Sequence, residues 1–242
     1  NRRSSITVAG STAFQPFAEK LADQFMTNRP TANIIVQGGG SAVGIQSTLS
    51  GTAQIGMADL VTLPEEAKGL QATEVARDGI AVVVHPSNRI NDLTMDQLRR
   101  IFNGSIRNWR DLGGGYGVIT VVSREAGSGT RISYEQIVGD LLLTKEAIVQ
   151  DSNGTIRETV ANDPNAVGYL SHGLLNEKIK AVTIDGVACT NEAIQSNQYA
   201  LARPIFLLTR VEPMPDTQAF IDYILSAEGQ QTIQSSGLIP VK

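Results

Sequence analysis

The sequence has a single cysteine, Cys189, and two histidines, His85 and His172. One cysteine allows no disulfide within the chain and no multi-cysteine metal site. The histidines and the scattered carboxylates show no metal-ligand spacing, so we expect neither a metal nor a cofactor. A serine hydrolase is not expected either, because neither histidine lies in a recognisable catalytic setting and no Gly-x-Ser-x-Gly elbow is present.

Other absences narrow the class further. No stretch approaches the run of about 18 apolar residues that a membrane-spanning helix needs. The net charge is −4, and neither a basic excess nor a reading motif suggests nucleic acid as a partner. A nucleotide-binding P-loop is excluded because its Lys-Ser/Thr pair is missing. The chain starts at Asn1 without an initiator methionine or an apolar signal segment, so we expect a mature or trimmed chain.

The 242 residues are 41% hydrophobic and 18% charged, which is an ordinary soluble composition. Their alternation of strand and helix patterns predicts an α/β fold with a mostly parallel sheet. The predicted strands are 6–9, 33–37, 54–58, 79–86, 118–122, 165–171 and 201–209, and a hairpin covers 182–188. The predicted helices are 14–28, 42–50, 94–102, 132–138, 153–161 and 218–227, with Thr94 and Asp216 as caps of the third and last.

Two long apolar strands, 79–86 and 201–209, predict two crossings between lobes, although Pro204 interrupts the second. We therefore predict a discontinuous first lobe, residues 1–82 and 202–242, and a second lobe, residues 83–201. Arg77-Asp78, just before the first crossing, is either a hinge ion pair or without a role.

The most informative motif runs from position 123 to position 131, Ser-Arg-Glu-Ala-Gly-Ser-Gly-Thr-Arg. It joins a predicted strand to a predicted helix, whose first N–H groups and dipole favour an anion. Gly127 and Gly129 allow close approach of the backbone, Ser128 and Thr130 add hydroxyl donors, and Arg124 adds a planar charged fork. Taken alone, the motif is equally typical of a glycine turn followed by a helix cap.

Two more turns of this kind favour the binding interpretation. Gly10-Ser11-Thr12 follows the first strand, and Gly39-Gly40-Ser41 follows the second. Asp59 ends the third predicted strand. Because ligands of open α/β sheets bind at the carboxyl ends of strands, these features predict one shared pocket. From the residues alone, Asp59 is also typical of a turn or helix-cap aspartate.

In order and spacing, these motifs resemble the phosphate-binding proteins of bacterial ABC-type phosphate uptake systems. The matching segments are Ala9–Thr12, Gly39–Ser41, Gly56–Asp59, an Ile-Phe-Asn-Gly…Asn-Trp segment within 98–109, and the motif at 123–131. The resemblance implies a two-lobed periplasmic binding protein fold of type II, with the ligand in the inter-lobe cleft. It places ligand contacts at Ser11, Thr12, the N–H of Ala13, Ser41, Asp59, Arg124, Ser128, the N–H of Gly129 and Thr130.

Some positions depart from the family pattern. Ala13 stands where a relative has phenylalanine, which matters little if the contact is made by the backbone. An acidic neighbour of the arginine in some relatives falls on Ala126, whereas Glu125 is acidic one place earlier, so the orientation of Arg124 stays open. Arg131 is either a second charge near the site or a partner for Glu135.

The acidic residue has a chemical rationale within this resemblance. Phosphate near neutral pH still carries a proton and can donate a hydrogen bond to a carboxylate, whereas fully deprotonated sulfate cannot. Asp59 would therefore reject sulfate more than phosphate.

The resemblance implies a non-enzymatic receptor that captures inorganic phosphate by hinge closure of two lobes. It would deliver phosphate to the membrane permease subunits of an ABC transporter. It also implies an extracytoplasmic location, either periplasmic or as a lipoprotein on the outer face of the membrane, and we expect a monomer. The alternatives are a receptor for sulfate, molybdate or tungstate, a phosphatase-type enzyme, and a sensor or surface lipoprotein with the same pocket.

Overall fold

The structure is a computed structural model that describes residues 5–242. Residues 1–4, with which the predicted first lobe begins, lie outside the described residues. The strands are β1 (Ser5–Gly10), β2 (Asn33–Gly39), β3 (Ile55–Ala58), β4 (Gln71–Val84), β5 (Asp92–Leu93), β6 (Thr120–Arg124), β7 (Ile148–Gln150), β8 (Ala166–Ser171), β9 (Lys180–Ala181), β10 (Thr183–Ile184), β11 (Ala202–Thr209) and β12 (Ile239–Pro240). The helices are α1 (Gln15–Thr27), α2 (Ser41–Ser50), α3 (Met95–Phe102), α4 (Gly129–Val138), α5 (Asn153–Ala161), α6 (Asn191–Gln195), α7 (Pro215–Leu225) and α8 (Ala227–Ser235). The predicted α/β class is confirmed.

The chain forms two compact units. Unit 1 runs to Asp78 and also contains Gly127–Gly129 and Arg203–Lys242, and unit 2 consists of Gly79–Ala126 and Thr130–Ala202. Strand β4 carries the chain out of unit 1, and β11 begins where the chain returns. The lobe boundaries after residues 82 and 201 stay a prediction. Over residues 5–242, every helix is too short or too polar to cross a membrane.

Unit 1 contains the strand order β2-β1-β3-β11. Strand β1 pairs in parallel with both β2 and β3, and β11 pairs antiparallel with β3. Helices α1 and α7 pack through Phe25, whose ring centroid lies 5.3 Å from that of Phe220 and 5.6 Å from that of Tyr223. Because β1, β2 and β3 are parallel, their carboxyl ends and the turns that follow them lie at the same edge of the sheet.

Unit 2 is built on β6, which pairs in parallel with both β7 and β8. The second half of β4 pairs antiparallel with β8. The core beneath β6 contains stacked rings of Tyr134 and Tyr169, 4.1 Å apart, with Phe102 against both. Burial raises the pKa of both phenols, so Tyr169 stays neutral and shares a 2.8 Å hydrogen bond with Ser123. This bond anchors β6 one residue before Arg124.

Strands β4 and β11 differ from their predictions, and β6 covers residues 120–124 rather than 118–122. Strand β4 begins at Gln71 rather than residue 79 and ends at Val84 rather than residue 86. Its first four residues are exposed or half-buried, so the sequence shows no continuous apolar run there. Strand β11 runs through Pro204 without interruption. Its pairing with β3 covers Phe206–Leu208, so the missing N–H of the proline costs that ladder nothing.

The C-terminal helix prediction is wrong in detail. The region 218–227 contains the end of α7, then a break at Ser226, then the start of α8. The residue before α7 is Met214, and Asp216 lies in the first turn rather than at the cap. The Oγ of Ser226 accepts a 3.2 Å hydrogen bond from the N–H of Gly229, which starts α8 as a separate helix. By contrast, Thr94 caps α3 as predicted, in a capping box with Gln97.

Candidate functional site

Asp59 and Ser41 form a buried pair in unit 1. Asp59 follows β3 and Ser41 begins α2. The Ser41 hydroxyl donates to Oδ1 of Asp59 at 2.9 Å and accepts from the Asp59 backbone N–H at 3.1 Å. The aspartate therefore does not act as a simple turn residue, because its backbone and its side chain are both tied to the start of α2.

Gly44 explains why the start of α2 lies so close to the strand ends. A Cβ at this position would lie 2.7 Å from the carbonyl oxygen of Met57 and 2.8 Å from that of Ala9. Only glycine lets the helix backbone rest directly against the ends of β1 and β3. This close packing brings the hydroxyl of Ser41 to Asp59.

Arg203 is the functional candidate that sequence reasoning missed. It lies on β11, is fully buried, and donates from Nη2 to Oδ2 of Asp59 at 2.8 Å. Its Nη1 donates to Oδ2 of Asp78 at 3.1 Å. Burial alone would lower the pKa of the Arg203 guanidinium, but the carboxylates of Asp78 and Asp59 outweigh burial and raise that pKa above its usual value.

This network gives Asp78 a defined partner, while the hinge role of Arg77-Asp78 stays a prediction. Asp78 pairs with Arg203, 125 positions away, and the contact lies within unit 1. The sequence did contain a signal: an arginine inside an apolar strand must find buried partners, since an unpaired buried charge is very costly. The signal could not say which carboxylates those partners were.

The first glycine-serine-threonine turn, Gly10–Thr12, is hydrogen-bonded to the end of β3 and to Gly40, the residue before α2. The N–H of Ser11 donates to the carbonyl of Met57 at 3.0 Å, and its Oγ accepts from the N–H of Phe14 at 3.3 Å. The hydroxyl of Ser11 is thus used in the turn that leads into α1. Thr12 is half-buried, and Ala13 is fully buried.

The Gly127–Gly129 turn lies against Ser41 and Asp59. The carbonyl of Gly127 accepts from the N–H of Ala42 at 3.1 Å. A Cβ on Gly129 would lie 2.1 Å from Oγ of Ser41 and 2.4 Å from Oδ1 of Asp59. Unit 1 therefore brings together the turn, the serine and the aspartate predicted from the sequence. Ser128, within the turn, is fully buried.

In unit 2, Arg124 ends β6 with its side chain almost completely buried. Its Nη2 donates to Oε1 of Glu125 at 2.7 Å and its Nε donates to Oε2 at 3.3 Å, so the neighbouring carboxylate holds one edge of the guanidinium. The orientation left open by Ala126 is therefore set by Glu125. Among residues 5–242, no side chain or backbone group bonds the Nη1 of Arg124.

Arg131 supports Arg124 from the first turns of α4. Its Nη1 donates to the carbonyl of Arg124 at 2.9 Å, and its Nε donates to Glu135 at 2.9 Å. The sequence left two roles open for Arg131, and the structure shows one of them, the ion pair with Glu135. Thr130 is buried in the first turn of α4 and belongs to unit 2, as Arg124 does.

A family model and three relatives more than 30% identical indicate one family. A family model described as "PBP superfamily domain" matches residues 1–228. Phosphate-binding protein PstS of Bacillus subtilis is 36% identical over 242 residues, which cover 98% of this chain and 81% of the relative. A phosphate ABC transporter substrate-binding protein from Clostridium perfringens, solved with bound phosphate, is 38% identical with a TM-score of 0.96, covering 99% of this chain and 100% of that one. An ABC-type phosphate transport receptor from Vibrio cholerae is 33% identical with a TM-score of 0.81, covering 97% and 99%.

Proposed function

Because the chain belongs to the PstS phosphate-binding proteins of the PBP superfamily, we propose that it binds inorganic phosphate outside the cytoplasm and passes it to an ABC transporter. It would act as a monomer that docks on the permease subunits, without catalysing a reaction. Closure of the lobes by hinge motion, expected from the resemblance, stays a prediction.

The observation that carries this proposal is that Arg124 is buried with part of its guanidinium not hydrogen-bonded. A guanidinium that is 1% exposed holds a fixed charge, and Glu125 binds only one edge of it. Among the described residues its Nη1 meets no acceptor. A buried donor without a partner is costly, and a tetrahedral oxyanion is an acceptor that suits a guanidinium.

The other proposed ligands supply neutral donors. We propose that Thr12, Ser128 and Thr130 donate hydroxyl hydrogen bonds, and that Ala13 and Gly129 donate backbone N–H groups. The Ser41 hydroxyl, which donates to Oδ1 of Asp59 in the structure, would turn to the phosphate when that oxygen accepts from the phosphate proton. Ser11 would position the first turn. An oxyanion that leaves water needs many fixed donors at once, and helix N-termini provide them without a mobile lysine charge.

Titration of phosphate-stripped protein with phosphate, sulfate and molybdate tests the proposal. By calorimetry at two pH values, we expect phosphate to bind far more tightly than the other two anions. Equal affinity for sulfate or molybdate would point to a receptor for another oxyanion. Hydrolysis of a phosphate ester, assayed with and without added divalent metal, would point to an enzyme, and we expect none.

Gly129→Ala is expected to weaken phosphate binding at least about tenfold, because the new methyl would overlap both Ser41 and Asp59. The matched control is Gly69→Ala, where a Cβ would meet no atom within 4 Å. Calorimetry of the two variants measures the effect. Equal phosphate affinity for both would show that the turn at Gly129 is not part of the binding site.

A further inference from the structure

The network around Asp59 assigns a role to a residue that does not itself belong to the proposed phosphate ligands. We propose that Arg203 is a specificity-determining positioning residue. It holds Asp59 as an ionised acceptor and thereby sets the discrimination between oxyanions that carry a proton and oxyanions that do not. This inference rests on the proposed function of the site.

The geometry divides the two oxygens of Asp59 between different tasks. Oδ2 accepts from Nη2 of Arg203 at 2.8 Å. Oδ1 accepts from the hydroxyl of Ser41 at 2.9 Å and is the carboxylate oxygen nearest to the Gly129 position. With Oδ2 held by the cation, Oδ1 is the atom that is presented to the anion-binding turn.

Charge explains why the arginine matters for selectivity. Asp59 is 1% exposed, and burial by itself disfavours an ionised carboxylate. A guanidinium at 2.8 Å stabilises the carboxylate form, which can only accept hydrogen bonds. Without that cation, a protonated Asp59 would become a donor and would favour a fully deprotonated anion such as sulfate.

Asp78 fixes the guanidinium from its other side. It is 1% exposed and lies at the end of unit 1, directly before the chain leaves on β4, while Arg203 is the first residue after the chain returns. Asp59 pairs with Arg203 on β11, and Arg203 pairs in turn with Asp78 on β4. Helix α2 contributes the hydroxyl of Ser41, and the Gly127–Gly129 turn contributes its backbone.

The experiment compares sulfate and phosphate binding at about pH 5.5 and about pH 8 in stripped protein. Sulfate is the reporter, because it keeps the same charge over this range. In Arg203→Met we expect sulfate affinity to rise at least about tenfold at the lower pH and to fall again at the higher pH, as Asp59 loses its proton. In the unchanged protein, we expect sulfate affinity to stay low at both pH values.

Companion variants separate this role from a structural one. Arg203→Met with Asp78→Asn removes the excess buried charge, so it keeps the test available if the single variant does not fold. We expect it to show the same pH-dependent gain of sulfate binding. Arg203→Lys restores a cation and should return sulfate affinity toward the original value, and Asp78→Asn alone should keep the selectivity.

The outcomes distinguish this inference from the function on which it rests. Suppose that the unchanged protein binds phosphate selectively. If the double variant then has the same ratio of sulfate affinity to phosphate affinity as the unchanged protein at each pH, Arg203 has no role in specificity. The proposed function then stands. If the unchanged protein binds no phosphate, the proposed function fails and this inference fails with it.

Discussion

Arg124→Met is expected to weaken phosphate binding about a hundredfold or more while the fold survives. The side chain is 1% exposed, so its charge acts on a ligand with little screening by water. Methionine fills much of the same volume without the charge. The fold should survive because the carboxylate of Glu125 is 33% exposed and can be hydrated once its partner is gone.

Calorimetry with phosphate measures the loss, and thermal unfolding checks the fold. Arg110→Ala is the matched control, because this exposed guanidinium lies over the ring of Tyr116, 5.4 Å from its centroid, and outside the motif at 123–131. The control should bind phosphate normally. If Arg124→Met binds as tightly as the control, Arg124 serves only the packing of β6 and α4.

Asp59→Asn is expected to reduce the preference for phosphate over sulfate by about a hundredfold. Phosphate should lose about tenfold in affinity, because one charge-assisted hydrogen bond to its proton is weakened. Sulfate should gain by a similar factor, since the repelling charge is gone and the amide can donate. Arg203 keeps Asp78 as a carboxylate partner, so the buried cation is not left alone.

Competition calorimetry with phosphate and sulfate measures the ratio of the two affinities. Asp96→Asn is the control, because the carboxylate of Asp96 is 67% exposed and pairs with Arg99 on the surface. Asparagine does not titrate, so the gain in sulfate affinity in Asp59→Asn should be nearly the same at about pH 5.5 and about pH 8. An unchanged ratio would mean that Asp59 has no part in selecting the anion.

Local patterns predicted most of the framework. The strand–turn–helix units at 6–28 and 33–50 match β1–α1 and β2–α2 closely, because apolar periodicity and glycine turns act over a few residues. Predictions failed where the local signal was weak. The first half of β4 has no continuous apolar run, and the break between α7 and α8 depends on the cap formed by Ser226.

The sequence by itself determined the α/β class, the three glycine turns at strand ends, and the presence of one arginine and one aspartate suited to an oxyanion. Only the tertiary structure decided how those two groups are held. Glu125 orients Arg124, and Arg203 reaches Asp59 across 144 positions of the chain. A contact at such separation leaves no periodic trace in the sequence, because it depends on which strands the fold places side by side. The selectivity expected from Asp59 therefore depends on an arginine that the local pattern around it does not reveal.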